Sequence, residues 1–349
     1  MLKSLTLENF KGFRRAQVPL APLTAIVGVN ASGKSNIRDA FRFMHGVGRG
    51  LTVAEVIGGT REEVGSRAWA GIRGGARELC FHGETTCSIA VTLDAAPASV
   101  HWPVDVGDRT GGPAVLNDTP VPMSFVEYLR AIRFAEFEPG VMRTASPPGL
   151  SLGSHGENLP SVLRAIWQLQ SARTTALEWL RQLVPMDVAD FAFEEDPAGR
   201  VYLFTTQQDG TRVSADSMSD GTLRFLGLLA ALLQPQPPPL LFVEEIENGI
   251  HPSRLALVVQ LLSQATAKGV QVVLTTHSPQ LLDLLPPQAR QDALLTYRLE
   301  NEPDCHVTRL LGVEHAAEVL ATEPLATLHS TGWFEKALYL NGAGEEHVR

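Results

Sequence analysis

The chain has 349 residues, 44% of them hydrophobic and 19% charged, with a net charge of −9. That composition describes a globular chain with a sizeable core; it excludes intrinsic disorder and any global electrostatic pull toward nucleic acid, leaving only local basic patches for such contact. Three cysteines, Cys80, Cys87 and Cys305, are too few and too unevenly spaced for a disulfide framework or a Cys-x-x-Cys metal site. With no secretory signal and no apolar run of membrane-spanning length, the expectation is a cytoplasmic protein with no membrane partner.

Residues 1–45 read as three strands, a loop and a helix. Leu2 to Leu7 alternates like a strand, and the apolar run Leu23-Thr24-Ala25-Ile26-Val27 reads as a buried one. It leads into Gly28-Val29-Asn30-Ala31-Ser32-Gly33-Lys34-Ser35, which fits the phosphate-binding pattern G-x-x-x-x-G-K-[ST] without a mismatch. Asn36 to Met44 has helical spacing. Glycines at both ends let the backbone curl so that successive N–H groups converge on phosphate oxygens, and the helix adds its positive end. Lys34 would reach the β- and γ-phosphates of a nucleotide, and the Ser35 hydroxyl would ligate Mg²⁺. The candidate nucleotide-binding set is therefore Asn30, Ala31, Ser32, Gly33, Lys34, Ser35 and Asn36. Lys11, Arg14 and Arg15, with Arg38, Arg42 and Arg49, form the obvious basic cluster and the candidate contact for DNA.

From 46 to 130, Gly- and Pro-rich stretches separate short strand candidates such as Glu78–His82 and Cys87–Leu93, which suggests an inserted antiparallel β lobe. A helical segment spans 155–190, with apolar positions from Leu159 to Leu183 at helical spacing over 159–184. Short alternating segments at Phe191–Phe193, Val201–Thr205 and Thr211–Ser214 suggest a small meander. Over 210–300 the α/β alternation returns. A helix at Gly221–Leu233 is followed by a strand at Leu240–Val243, a helix near Ser253–Ala267, a strand at Val270–Leu274 and a helix from Pro279. The segment 300–349 reads as a C-terminal α/β extension with a short helix near Trp333–Tyr339.

Four later motifs carry chemistry. Leu240 to Val243 ends in Glu244-Glu245, placing two carboxylates at the edge of a buried strand, where one can serve Mg²⁺ and the next can orient an attacking water. Glu244 takes the metal role and Glu245 the general-base role. Ser217-Met218-Ser219-Asp220-Gly221-Thr222 precedes a helix and can form a second anion site or an ordinary N-cap. His277, after the strand Val270–Leu274, can hydrogen-bond a γ-phosphate oxygen or be merely structural. Glu247-Asn248-Gly249-Ile250-His251-Pro252 reads as a turn.

In this order the motifs resemble the ATPase head of the ABC superfamily, with Walker A, signature, Walker B, D-loop and switch histidine. The resemblance is nearest to the branch of SMC, RecF and OLD ATPases and to stand-alone AAA_21-type bacterial ATPases. It is carried by Leu5 to Phe13, Gly156 to Leu163, Ser219 to Arg224, Glu244 to Pro252 and Thr276 to Pro279. It implies an α/β fold, a P-loop NTPase of ABC type occupying 1–349 as a single head, with a mixed core sheet, an antiparallel β lobe and a helical insert. It also implies ATP hydrolysis with Lys34, Glu245 and His277 as catalytic residues, ATP and Mg²⁺ as cofactors, and a homodimer closed around ATP. Ser219 and Gly221 of one subunit would then touch the γ-phosphate held by the other. The implied task is gating a DNA transaction or a partner effector such as a nuclease, in genome maintenance or anti-phage defence. A dimeric scaffold with negligible turnover is the alternative, and a transporter ATPase subunit fits less well. Departures from the pattern are Glu244 where transporters carry Asp, His251 where their D-loop ends in Asp, and the lack of a glutamine in the re-entry strand Ile132–Phe137.

Overall fold

The computed structural model describes residues 1–60, 69–94, 99–106, 122–183, 188–299 and 302–313, with parts of 315–337. The chain divides into two compact units, Met1–Ile132 with His277–Arg349, and Arg133–Thr276. In chain order the first unit contains β1 (Leu2–Phe10), β2 (Phe13–Pro19), β3 (Leu23–Val27), α1 (Lys34–Gly48), α2 (Val53–Gly58), β4 (Thr86–Leu93), β5 (Ser99–Asp105) and α3 (Met123–Ala131). The second contains β6 (Arg133–Ala135), α4 (Pro139–Met142), α5 (Leu159–Trp167), α6 (Gln170–Leu183), β7 (Val188–Glu195), β8 (Val201–Gln207), β9 (Arg212–Ser214), α7 (Asp220–Leu233), β10 (Leu240–Val243), α8 (Leu255–Ala267) and β11 (Gln271–Thr276). The chain re-enters the first unit as α9 (Pro279–Leu284), α10 (Pro287–Gln291), β12 (Leu294–Arg298), β13 (Cys305–Arg309) and α11 (Ala316–Leu320).

In the first unit β1 buries Leu5 and Leu7 in alternation, with Leu2 beyond a register shift between Leu2 and Ser4 and Phe10 at the strand end. Such a one-sided strand needs an antiparallel sheet with one covered face. The sheet order is β2-β1-β4-β5, so the later strands extend the N-terminal hairpin. Leu5 pairs with Val91 and Leu7 with Ile89. The strand expected at Glu78–His82 is reduced to one bridge between Phe10 and Cys80, because His82 (φ 25°) and Gly83 (φ 89°) turn the chain toward β4. A separate ladder sets β3 parallel to β12, with β13 antiparallel on the far side of β12. All five residues of β3 are buried.

The second unit is built on three parallel strands in the order β11-β10-β6. Leu240, Leu241, Phe242 and Val243 are all buried, as a continuous apolar run in a doubly covered parallel strand should be. The single helix expected over 159–184 is two helices, α5 and α6, separated at Gln168–Leu169. The break lets each present its own apolar stripe: Leu159, Val162, Leu163 and Ile166 on α5, Ala176, Trp179, Leu180 and Leu183 on α6. Strands β7, β8 and β9 form the antiparallel meander that the alternation predicts, tied to α5 by the bond from the Trp167 indole N–H to Asp190 at 2.7 Å.

The fold is thus mixed α/β with parallel and antiparallel ladders. Among the described residues no helix is long and apolar enough to cross a membrane. The helix expected near Trp333–Tyr339 lies largely outside the described residues.

Candidate functional site

In the first unit, Gly28 to Lys34 connects the end of β3 to the start of α1. Gly33 stands at the helix N-cap with φ 106°, and no side chain caps the helix. The first-turn amides of a helix lack intrahelical acceptors, so this N-terminus presents donors and a positive dipole end to an anion. Only one of the two motif glycines is needed for a left-handed backbone. Gly33 has positive φ; Gly28 does not, but a Cβ there would lie 2.3 Å from the Thr296 carbonyl oxygen. Ala31 adopts φ 63°, a conformation that costs a non-glycine residue roughly 1–2 kcal/mol. Asn30 and Ala31 are exposed, Ser35 and Asn36 half-buried, and Ser32 is buried with its hydroxyl 2.7 Å from that of Thr296. Lys34 is 8% exposed; its ammonium donates to the carbonyls of Gly28 at 2.6 Å and Val29 at 2.8 Å.

The turn between β1 and β2 packs under this loop. Asn9 (φ 47°) and Lys11 (φ 53°) make the turn, and a Cβ on Gly12 would meet Asn36 Nδ2 at 2.8 Å and Cys305 Sγ at 2.9 Å. That close approach explains the glycine in Asn9-Phe10-Lys11-Gly12-Phe13. The basic cluster read from the sequence is only partly solvated. Lys11 forms a buried ion pair with Asp39, which also receives Arg38 at 3.0 Å. Arg42 and Arg49 lie over the ring of Trp69 at 5.5 and 5.6 Å. Arg14 is 67% exposed beside Asp304.

In the second unit, β10 carries Glu244 and Glu245 out of its buried run, both half-buried. Glu245 has φ 44°, an uncommon conformation of the kind that concentrates at functional sites. Its amide donates to the Thr275 hydroxyl of β11 at 3.1 Å, and its Oε2 accepts from the Asn248 side chain at 2.5 Å. A small recess beside it is lined by Ala135, Phe137, Arg224, Val243, Glu244 and Glu245. The Arg224 Nε atom is buried there with no hydrogen-bond partner among the described residues.

Ser219 is the N-cap of α7, its hydroxyl accepting from the Thr222 amide at 3.2 Å. A Cβ on Gly221 would lie 2.3 Å from the Gly249 carbonyl oxygen, so the turn that opens α7 and the Glu247–His251 turn touch backbone to backbone. Arg143 clamps the same turn, donating to Met218 at 3.0 Å and Asp220 at 2.6 Å. His251 caps the short turn Pro252–Arg254 through its Nδ1, which accepts from the Ser253 amide. The re-entry strand is β6, parallel to β10. His277 directly follows β11 and is half-buried.

Sequence reasoning assigned no role to Thr275, Thr296 and Arg143, each far along the chain from the group it bonds, or to Arg224. For Arg224 a signal existed: it sits one helical turn after Asp220, on the same face of α7. No group of three or more His, Cys, Asp or Glu side chains suited to a metal occurs among the described residues. A Mg²⁺ held chiefly by phosphate oxygens and waters, with one hydroxyl and one carboxylate, needs no such cage.

Residues 128–283 match the family described as "AAA domain, putative AbiEii toxin, Type IV TA system", and residues 1–51 match the family described as "AAA ATPase domain". Among curated proteins none matches the sequence. Among solved structures, an Smc head bound to the C-winged helix domain of ScpA is 16% identical, with 88% of this chain and 97% of that one covered and a TM-score of 0.58. An Smc head domain with an extended coiled coil, bound to the C-terminal domain of ScpA derived from Pyrococcus furiosus, is 15% identical, with 92% and 99% covered and a TM-score of 0.54. At such identities the likeness is one of fold.

Proposed function

We propose that this chain, an ATPase head of the ABC and SMC kind by its family matches and its fold, works as an ATP-gated homodimer. The observation that carries the reading is the uncapped N-terminus of α1 beneath the G-x-x-x-x-G-K-S loop, with a buried ammonium already at its mouth. Backbone amides of Asn30 to Asn36 and the Lys34 ammonium take the triphosphate, and Ser35 and Glu244 serve Mg²⁺, which supplies charge neutralisation of the transferred phosphoryl group. Glu245 accepts the proton of the attacking water. Its left-handed backbone and its hydrogen bonds to Thr275 and Asn248 hold the carboxylate in one orientation. His277 reads the γ-phosphate, and Ser219 and Gly221 act on the nucleotide of the opposite subunit.

Because γ-phosphate bridges the two subunits, hydrolysis opens the pair, an order switch of the γ-phosphate type. The opening and closing gates a partner effector, such as a nuclease, or a DNA transaction through Arg14 and Arg15. The two Smc heads that share this fold are each bound to a domain of ScpA, a precedent for a head that works through a partner protein. A dimeric scaffold with negligible turnover is the second reading, favoured by the Asn248 amide on Glu245 Oε2, a bond that competes with water for the same oxygen.

The variant Glu245→Gln separates the two. Under the ATPase reading, light scattering with Mg-ATP shows a trapped dimer and phosphate release is lost. Under the scaffold reading neither quantity changes from wild type. Monomers alone with a non-hydrolysable analogue refute both.

A further inference from the structure

We propose that Thr296 is a positioning residue for the phosphate loop, locking Ser32 before any ligand arrives; this rests on the nucleotide reading above. Strand β12 runs beside β3 through the pairs Leu294–Ile26 and Leu295–Val27. Thr296 is the next residue, so it falls beside the loop where β3 has ended. Its hydroxyl lies 2.7 Å from Ser32 Oγ and donates to the Val27 carbonyl at 3.2 Å. Ser32 and Thr296 are each 1% exposed, so no water competes.

Counting protons gives these bonds a direction. Each hydroxyl has one hydrogen, and a carbonyl oxygen can only accept. The Thr296 hydrogen goes to Val27, so the Ser32 hydrogen goes to Thr296. The relay Ser32 to Thr296 to Val27 ties the middle of the loop to the strand that precedes it. It spends the Ser32 hydroxyl proton inside the protein, so that hydroxyl does not serve an anion as donor. It also accounts for Gly28, where a Cβ would lie 2.3 Å from both Thr296 O and Oγ1 and 2.6 Å from Ser32 Oγ. The opposite end of the loop meets the same hairpin: a Cβ on Gly33 would lie 3.1 Å from Cys305 Cβ of β13, and the Cys305 amide donates to Gly12 at 2.7 Å. The β12–β13 hairpin therefore grips the loop at both ends. A loop fixed in advance binds more tightly because less ordering remains to be done on binding.

The test uses the full chain with Thr296→Val, Thr296→Ser, Ser32→Ala and the Thr296→Val/Ser32→Ala pair. Dissociation constants for Mg-ATP and for inorganic tripolyphosphate are measured by competition against a fluorescent nucleotide. Thr296→Val should weaken both ligands by the same factor, roughly tenfold, as expected when one buried hydrogen bond organising the loop is lost. Thr296→Ser restores the hydroxyl and should recover wild-type affinity, and the double variant should bind no worse than Thr296→Val alone. Equal affinity of Thr296→Val and wild type, or additive losses in the double variant, overturns the proposal. Should Thr296→Val not fold, Ser32→Ala breaks the same bond from the loop side; unchanged constants there overturn it too. A wild-type chain that takes neither ligand overturns the nucleotide reading, and this inference with it.

Discussion

The ammonium of Lys34 lies 2.6 Å from the carbonyl oxygen of Gly28, six residues back in its own loop. A charge-assisted bond of this kind fixes the cation against its own loop, where the proposed triphosphate would meet it. Lys34→Ala is expected to weaken Mg-ATP binding at least roughly tenfold, since hydrogen bonds to charged groups contribute about 1.5–3 kcal/mol each. Titration with a fluorescent nucleotide reads this directly, and unchanged affinity contradicts the loop's assignment.

The two motif glycines should fail for different reasons. Gly33→Ala forces φ 106° on an alanine and sets its Cβ 2.6 Å from the Phe13 ring. Strain of this type costs about 1–3 kcal/mol, so the melting temperature should fall by several degrees. Gly28→Ala has no such backbone strain but collides with Thr296 at 2.3 Å, through a backbone oxygen that cannot rotate away. It should separate β12 from the loop and lose nucleotide affinity as well as stability. A wild-type melting curve for either variant refutes the packing described.

Asp39 is 2% exposed at its side chain and neutralises two buried cations, Lys11 and Arg38. Asp39→Asn removes the carboxylate charge from both, and breaking a buried pair from one side costs about 3–5 kcal/mol. Urea unfolding followed by fluorescence should show the unfolding free energy lowered by that amount. A shift below about 1 kcal/mol, the range of surface pairs, counts against the burial.

Ser219 has a structural duty that can be separated from its proposed duty across the dimer. Ser219→Ala removes the α7 cap and should cost about 0.5–2 kcal/mol. Ser219→Arg should in addition block ATP-dependent dimer closure while the monomer still binds ATP. Size measurement with a non-hydrolysable analogue checks this; an intact dimer removes Ser219 from the interface.

Burial raises the thiol pKa of Cys80, Cys87 and Cys305 above the ordinary cysteine value. Since the thiolate is the reactive form, alkylation at pH 8 should be slow in the native chain and rapid in denaturant. A mass shift for Cys305 within minutes under native conditions means that the β13 contact with the loop opens readily.

The sequence by itself determined the elements whose signal is local. An octet with glycine, lysine and serine at fixed spacing, the apolar run Leu240–Val243 ending in two glutamates, and the alternation of Leu2 to Leu7 each specify a strand, a turn or a helix end within a few residues. Tertiary structure alone decided everything set by close approach between distant segments. Gly28 is glycine because β12 passes 268 residues later in sequence, and Gly221 is glycine because the Gly249 carbonyl lies against it. Lys11 and Arg38 look like surface charges until Asp39 is seen between them, and the break at Gln168–Leu169 is invisible to helical periodicity. Backbone propensity and side-chain period act over one or two turns, whereas steric exclusion and buried charge pairing depend on which segments the fold brings together.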